Sequence, residues 1–115
     1  HRVFTILPSF ANELIEIKEI PSTIKGLIVM MDIRTASQSD EYTLFFVNEE
    51  NQNVSNIVNT RLCNEFSRIE FELSPKVQGL SFISLAIKKA IDKDDELRFL
   101  YSFKVDIGFG GDFDF

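Results

Sequence analysis

The chain has one histidine, one cysteine and no tryptophan in 115 residues. The histidine is His1, at a first position that is not methionine, which reads as a trimmed terminus and leaves the interior without an imidazole. Cys63 and the serines therefore lack the base that a nucleophilic triad requires, and no enzymatic activity is expected. One cysteine and one terminal histidine cannot supply the four ligands of a zinc site. A single cysteine also excludes an internal disulfide. Cys63, beside Leu62, reads as a small buried hydrophobe in a reducing compartment.

Long apolar runs are missing too. The longest, residues 26–31, is strand-sized and far short of the roughly 18 residues that span a bilayer, so no membrane partner is expected and the cytoplasm is the expected location. Positive charge is in deficit: 12 Lys and Arg stand against 18 Asp and Glu, a net charge of −6. That balance argues against direct nucleic-acid binding, which needs cations on phosphates. It suits a cation-binding surface or a partner with a basic face. The glycines make no phosphate loop, because Gly108-Phe109-Gly110-Gly111 opens no helical pattern and has no lysine.

What the chain does have is bulk and alternation. Hydrophobic residues make up 44% and phenylalanine alone contributes 12 positions, enough for one packed domain over residues 1–107 followed by a Gly/Asp/Phe-rich tail at 108–115. In residues 69–73, Ile69, Phe71 and Leu73 point one way and Glu70 and Glu72 the other. Residues 99–107 alternate over a longer span. Residues 26–33, 42–47 and 80–87 read as strands buried on both faces, and weaker strands fit 3–7, 14–18 and 53–58. Residues 88–92 fit one helical turn, and 59–67 are ambiguous. Polar turns at short intervals, without a long helical period, predict an all-β fold: a β-sandwich of two packed, mainly antiparallel sheets.

Oxygen-rich groups are the candidate sites. Asp92, Asp94 and Asp95, with Glu96, share one short loop, as a hard cation such as Ca²⁺ would want; the plainer reading is an exposed, charged hairpin turn. Asp32 and Asp40 flank a second polar loop. Asp112 and Asp114 alternate with Phe109, Phe113 and Phe115 in the tail, a candidate partner-binding segment. Phe45 and Phe46 have the chemistry of stacking platforms but sit in an apolar run, where aromatic residues are core.

Beyond these groups, Asp32-Ile33-Arg34, a polar loop and Asp40 resemble a motif of the TerD family, stress-response proteins linked to tellurium resistance. There a strand ends in Trp-Asp-x-Arg before a loop and a further Asp; Met31 stands here for the Trp. Leu7, Asn12 and Pro21 resemble the family's opening stretch, Phe45-Phe46-Val47-Asn48-Glu49 a following strand, and the interval from Val54 to Asn64 the stretch after it. Ile69-Glu70-Phe71-Glu72-Leu73-Ser74 is similar to its Asp-Leu-Ser strand. Glu96-Leu97-Arg98 and the terminal glycines resemble its closing hairpin. The order and spacing of these pieces agree over nearly the whole chain. The long acidic loop that precedes the Asp-Leu-Ser strand in the family is missing, and Arg68 stands where acids are expected.

The resemblance implies a pared-down, non-enzymatic β-sandwich that acts through protein partners, related stress or tellurium-resistance proteins among them. Ca²⁺ is the cofactor it implies, with Asp40 and the strand-end Asp32 as the matched ligands. Two readings of other classes stand beside it. The acidic-aromatic ending resembles that of single-stranded-DNA-binding proteins and suggests a nucleic-acid-associated protein. A small sandwich also suits a structural subunit of a viral or phage particle.

Overall fold

The computed structural model describes residues 3–6, 15–18, 22–35, 39–89 and 98–106, with 3–6 and 98–101 described by backbone alone. Nine strands lie within these residues: β1 (Val3–Ile6), β2 (Ile15–Lys18), β3 (Thr23–Ile24), β4 (Ile28–Thr35), β5 (Asp40–Val47), β6 (Val58–Leu62), β7 (Ser67–Glu72), β8 (Phe82–Lys89) and β9 (Arg98–Val105). They make a four-stranded sheet, β1-β2-β4-β7, packed on a five-stranded sheet, β3-β9-β8-β5-β6. Every pairing is antiparallel except the short parallel β3–β9 ladder. The protein is an all-β sandwich.

Period-two alternation explains the packing. Ile15 and Ile17 on β2, Val29, Met31 and Ile33 on β4, and Ile69 and Phe71 on β7 turn inward and are buried. The opposing sheet supplies Tyr42, Leu44 and Phe46 from β5, with Ile83, Leu85, Ile87 and Phe103 from β8 and β9. Phe46 sits at the centre. Its ring meets Phe71 of the other sheet at 5.0 Å and 80°, and Phe103 of its own sheet at 5.8 Å and 63°. Edge-to-face contacts of this kind add to the burial energy by placing ring edges on ring faces. Phe46 is therefore core and not a stacking platform, whereas Phe45 is half-buried on the other face of β5.

Several local expectations are corrected. Residues 26–33 are not buried on both faces: β4 alternates, leaving Ile28 and Met30 at the surface. β5 alternates over most of its length as well. β5 ends in two successive buried residues, Phe46 and Val47, and β8 buries three, Leu85, Ala86 and Ile87, where an irregularity in the β8–β9 register turns the strand. The stretch 53–58 makes isolated bridges at Asn53 and Ser55, and the strand begins at Val58. Lys88 and Lys89 continue β8 and form no helical turn there. Cys63 is half-buried, its Sγ donating weakly to the Glu65 carbonyl at 3.9 Å.

Tight turns carry the connections. After β5 the Asn48 side chain accepts from the amides of Glu50 and Gln52, both at 2.9 Å, and Asn51 takes the left-handed conformation at φ 62°. Asparagine tolerates that region better than other side-chain-bearing residues, which suits it to this position. Ser74 caps the 3-10 turn Pro75–Val77, which drops Val77 into the core.

Candidate functional site

The outward positions of the four-stranded sheet form the candidate site. Register places Lys18, Asp32 and Arg68 in one row across β2, β4 and β7, and Glu16 beside Arg34 in the next. The row partners are bonded. Arg68 donates from Nε to Asp32 Oδ1 at 3.1 Å and from Nη2 to Oδ2 at 3.3 Å, a two-pronged contact. Arg34 donates from Nε to Glu16 Oε2 at 2.9 Å, and its Nη2 lies 2.6 Å from the same oxygen. The Phe66 ring lies over this corner, with the Arg34 guanidinium carbon 4.8 Å and the Lys18 ammonium 5.5 Å from its centroid. The hydrogen bonds from Arg68 hold the Asp32 carboxyl below its usual range, aided by the charges of Arg68 and Lys18 against the cost of burial.

Towards the other end of β4 the face changes character. Met30 opposes Glu70 and Ile28 opposes Glu72 across the β4–β7 ladder. Met30 is 57% exposed and Ile28 45%. Glu70 and Glu72 are exposed, and among the described residues no cation reaches either carboxylate. The Glu72 backbone is held firmly: its N–H donates to Asn56 Oδ1 at 2.7 Å and its carbonyl accepts from the Asn56 amide at 3.1 Å. A shallow cleft of about 190 Å³, lined by Lys18, Met30, Asp32 and Arg68, marks the border between the two halves.

Of the sequence-predicted acids, Asp32 and Asp40 lie among the described residues, and the structure does not bring these two together. Asp32 faces outward from the four-stranded sheet and is taken by Arg68. Asp40 opens β5 in the other sheet, where Oδ1 accepts the Glu41 amide at 2.8 Å and Oδ2 lies 3.6 Å from Lys89 Nζ. Two carboxylates on different sheets, each facing a cation, do not fit a Ca²⁺ cage of six to eight oxygens. Among the described residues no group of three or more His, Cys, Asp or Glu side chains is arranged to hold a metal. Asp92, Asp94, Asp95 and the tail residues Phe109, Asp112, Phe113, Asp114 and Phe115 lie outside the described residues.

A second depression, of about 320 Å³, lies over β5 and β6, lined by Glu41, Tyr42, Asn59, Thr60 and Arg61. Arg61 lies 3.3 Å from Glu41 there, and Thr43 donates to Asn59 at 2.7 Å, so its polar groups largely satisfy one another.

The Met30–Glu70 and Ile28–Glu72 pairs were missed by sequence reasoning, although a signal existed. Asp32 and Arg34 share their parity with Ile28 and Met30, and a face carrying both charges points to water. No helix among the described residues is long and apolar enough to cross a membrane. No family model matches the chain, nor does any curated protein or solved structure.

Proposed function

We propose that the chain is a TerD-like, non-enzymatic binding domain that works in the cytoplasm through protein partners, stress-response or tellurium-resistance proteins among them. One observation carries the partner-binding part. Ile28 and Met30 stand side by side in water on a strand whose other outward side chains, Asp32 and Arg34, are ion-paired. Adjacent exposed apolar side chains with a polar border mark protein-interaction surfaces more often than isolated ones do. The TerD-like part is supported by the motif order, by the sandwich fold that the resemblance implies, and by the start of β5 at Asp40. No cation is assigned to Asp32 or Asp40 in this proposal.

The test is affinity capture from the source cell's cytosol with the wild-type chain and with an Ile28→Asp/Met30→Asp variant. Both sites are exposed, so the variant is expected to fold. Partners that are enriched by the wild type and lost with the variant support the proposal; identical partner sets contradict it. Calorimetric titration of the full chain with millimolar Ca²⁺ checks the cation separately. Heat together with a rise in melting temperature would add a cation site, and neither would leave a purely protein-binding domain.

A further inference from the structure

The half of the face described by Ile28, Met30, Glu70 and Glu72 differs from its neighbour in what it leaves unsatisfied. Around Asp32 and Glu16 each carboxylate already has a guanidinium. Around Met30, two exposed carboxylates flank two exposed apolar side chains on the adjacent strand, in direct register: Met30 with Glu70 and Ile28 with Glu72. Both glutamates are carried on a strand whose inward residues, Ile69 and Phe71, are buried, so the acids are presented from a rigid base.

Complementarity then selects the occupant. A second copy docking through the same half would bring four glutamates into one interface with no cation from that half to meet them. Nucleic acid and anionic lipid surfaces carry the same sign and are repelled. A protein segment that carries apolar and basic side chains together on one face, as a helix with an apolar stripe bordered by Lys or Arg does, satisfies both demands at once: its apolar groups cover Ile28 and Met30, and its cations meet the glutamates. We infer that the Ile28/Met30/Glu70/Glu72 half of the four-stranded sheet docks a cationic, amphipathic protein segment. The inference rests on the partner-binding proposal above and adds the chemistry of the partner.

The chain has two methionines, and they report on this face as a matched pair, Met30 being 57% exposed and its neighbour Met31 1%. The experiment follows their ¹³C-methyl resonances in the full chain while a synthetic helical Lys/Leu peptide, with a leucine stripe bordered by lysines, is added, and then a Glu/Leu peptide with glutamates in place of the lysines. The Lys/Leu peptide is expected to move the Met30 methyl and leave Met31 nearly in place, and the Glu/Leu peptide to move neither. Glu70→Gln/Glu72→Gln is expected to weaken the Lys/Leu peptide by about five-fold or more. Glu49→Gln/Glu50→Gln, which removes the same charge from the exposed turn after β5, is expected to change affinity by less than about two-fold.

Equal weakening by both variants would reduce the effect to the overall acidity of the chain and overturn the inference. So would a Met30 methyl that ignores the Lys/Leu peptide, or one that shifts with protein concentration alone and thus reports self-association. These failures are separable from failure of the broader proposal. Capture that is lost with Ile28→Asp/Met30→Asp but indifferent to Glu70→Gln/Glu72→Gln would keep the docking face and reject only the basic partner.

Discussion

The two halves of one sheet face share strands β4 and β7, yet they are chemically unlike. In one half Glu16, Asp32, Arg34 and Arg68 neutralise one another and Phe66 lies under two cations. In the other, Met30 and Ile28 face water beside Glu70 and Glu72. The β4–β7 ladder runs through both, whereas β2 pairs with β4 only from Asp32 to Thr35 and lends its side chains to the ion-paired half alone. A satisfied face is a finished surface, and cross-strand ion pairs of this kind also discourage strand-on-strand association. An unsatisfied face still has free energy to gain from a partner.

The largest expected effect comes from removing what both halves stand on. Phe46→Ala empties the space between Phe71 and Phe103 and should cost about 3–5 kcal/mol of unfolding free energy, measured by chemical denaturation. Such a loss would blur the two halves together by loosening β7. A cost below about 1 kcal/mol would mean that Phe46 is not the centre of the core.

Next in size is the paired half. Arg34→Ala removes the Glu16 contact and the stacking on Phe66, and should destabilise by about 1 kcal/mol, with the loss shrinking in high salt. The same measurement on Glu70→Gln/Glu72→Gln should show a change within about 0.5 kcal/mol, because no cation among the described residues pairs with those carboxylates. Equal destabilisation by the two variants would erase the distinction between the halves.

Acid sharpens it further. The Asp32 carboxyl is held below its ordinary value of 3.8 by the hydrogen bonds from Arg68. A folded-state value below the unfolded one means that the carboxylate contributes stability which is fully present above the unfolded value and is lost as pH falls through the folded one. Wild type should therefore exceed Asp32→Asn in stability at neutral pH, and the gap should close below about pH 4. A gap that persists undiminished at pH 2 would show that Arg68 does not act through the ionised form.

Much of this was legible in the chain itself, for reasons that particular residues make plain. Ile69-Glu70-Phe71-Glu72 announces a one-sided strand, since acids at every second position cannot be buried without partners. Residues 27–31 misled because five apolar residues in a row carry no alternation; only the following Asp32 and Arg34 reveal which parity meets solvent. β6 falls mostly in the stretch 59–67 that reads as ambiguous, because Val58-Asn59-Thr60-Arg61-Leu62 has the polar makeup of an edge strand and little hydrophobic signal. The Asp32–Arg68 pair joins residues 36 apart in sequence, and only strand register brings them together. Arg68 looked like a loss from an acidic loop; in the fold it is the partner of Asp32.

The central claim is that β4 presents one face to the core and the other, bare, to water. The most direct test is the broadening of the two methionine methyl resonances by a neutral, soluble gadolinium chelate in the full chain. Met30 should broaden strongly while Met31 stays sharp. If both methyls are equally protected, or equally broadened, the exposed face does not exist and the docking proposal falls with it.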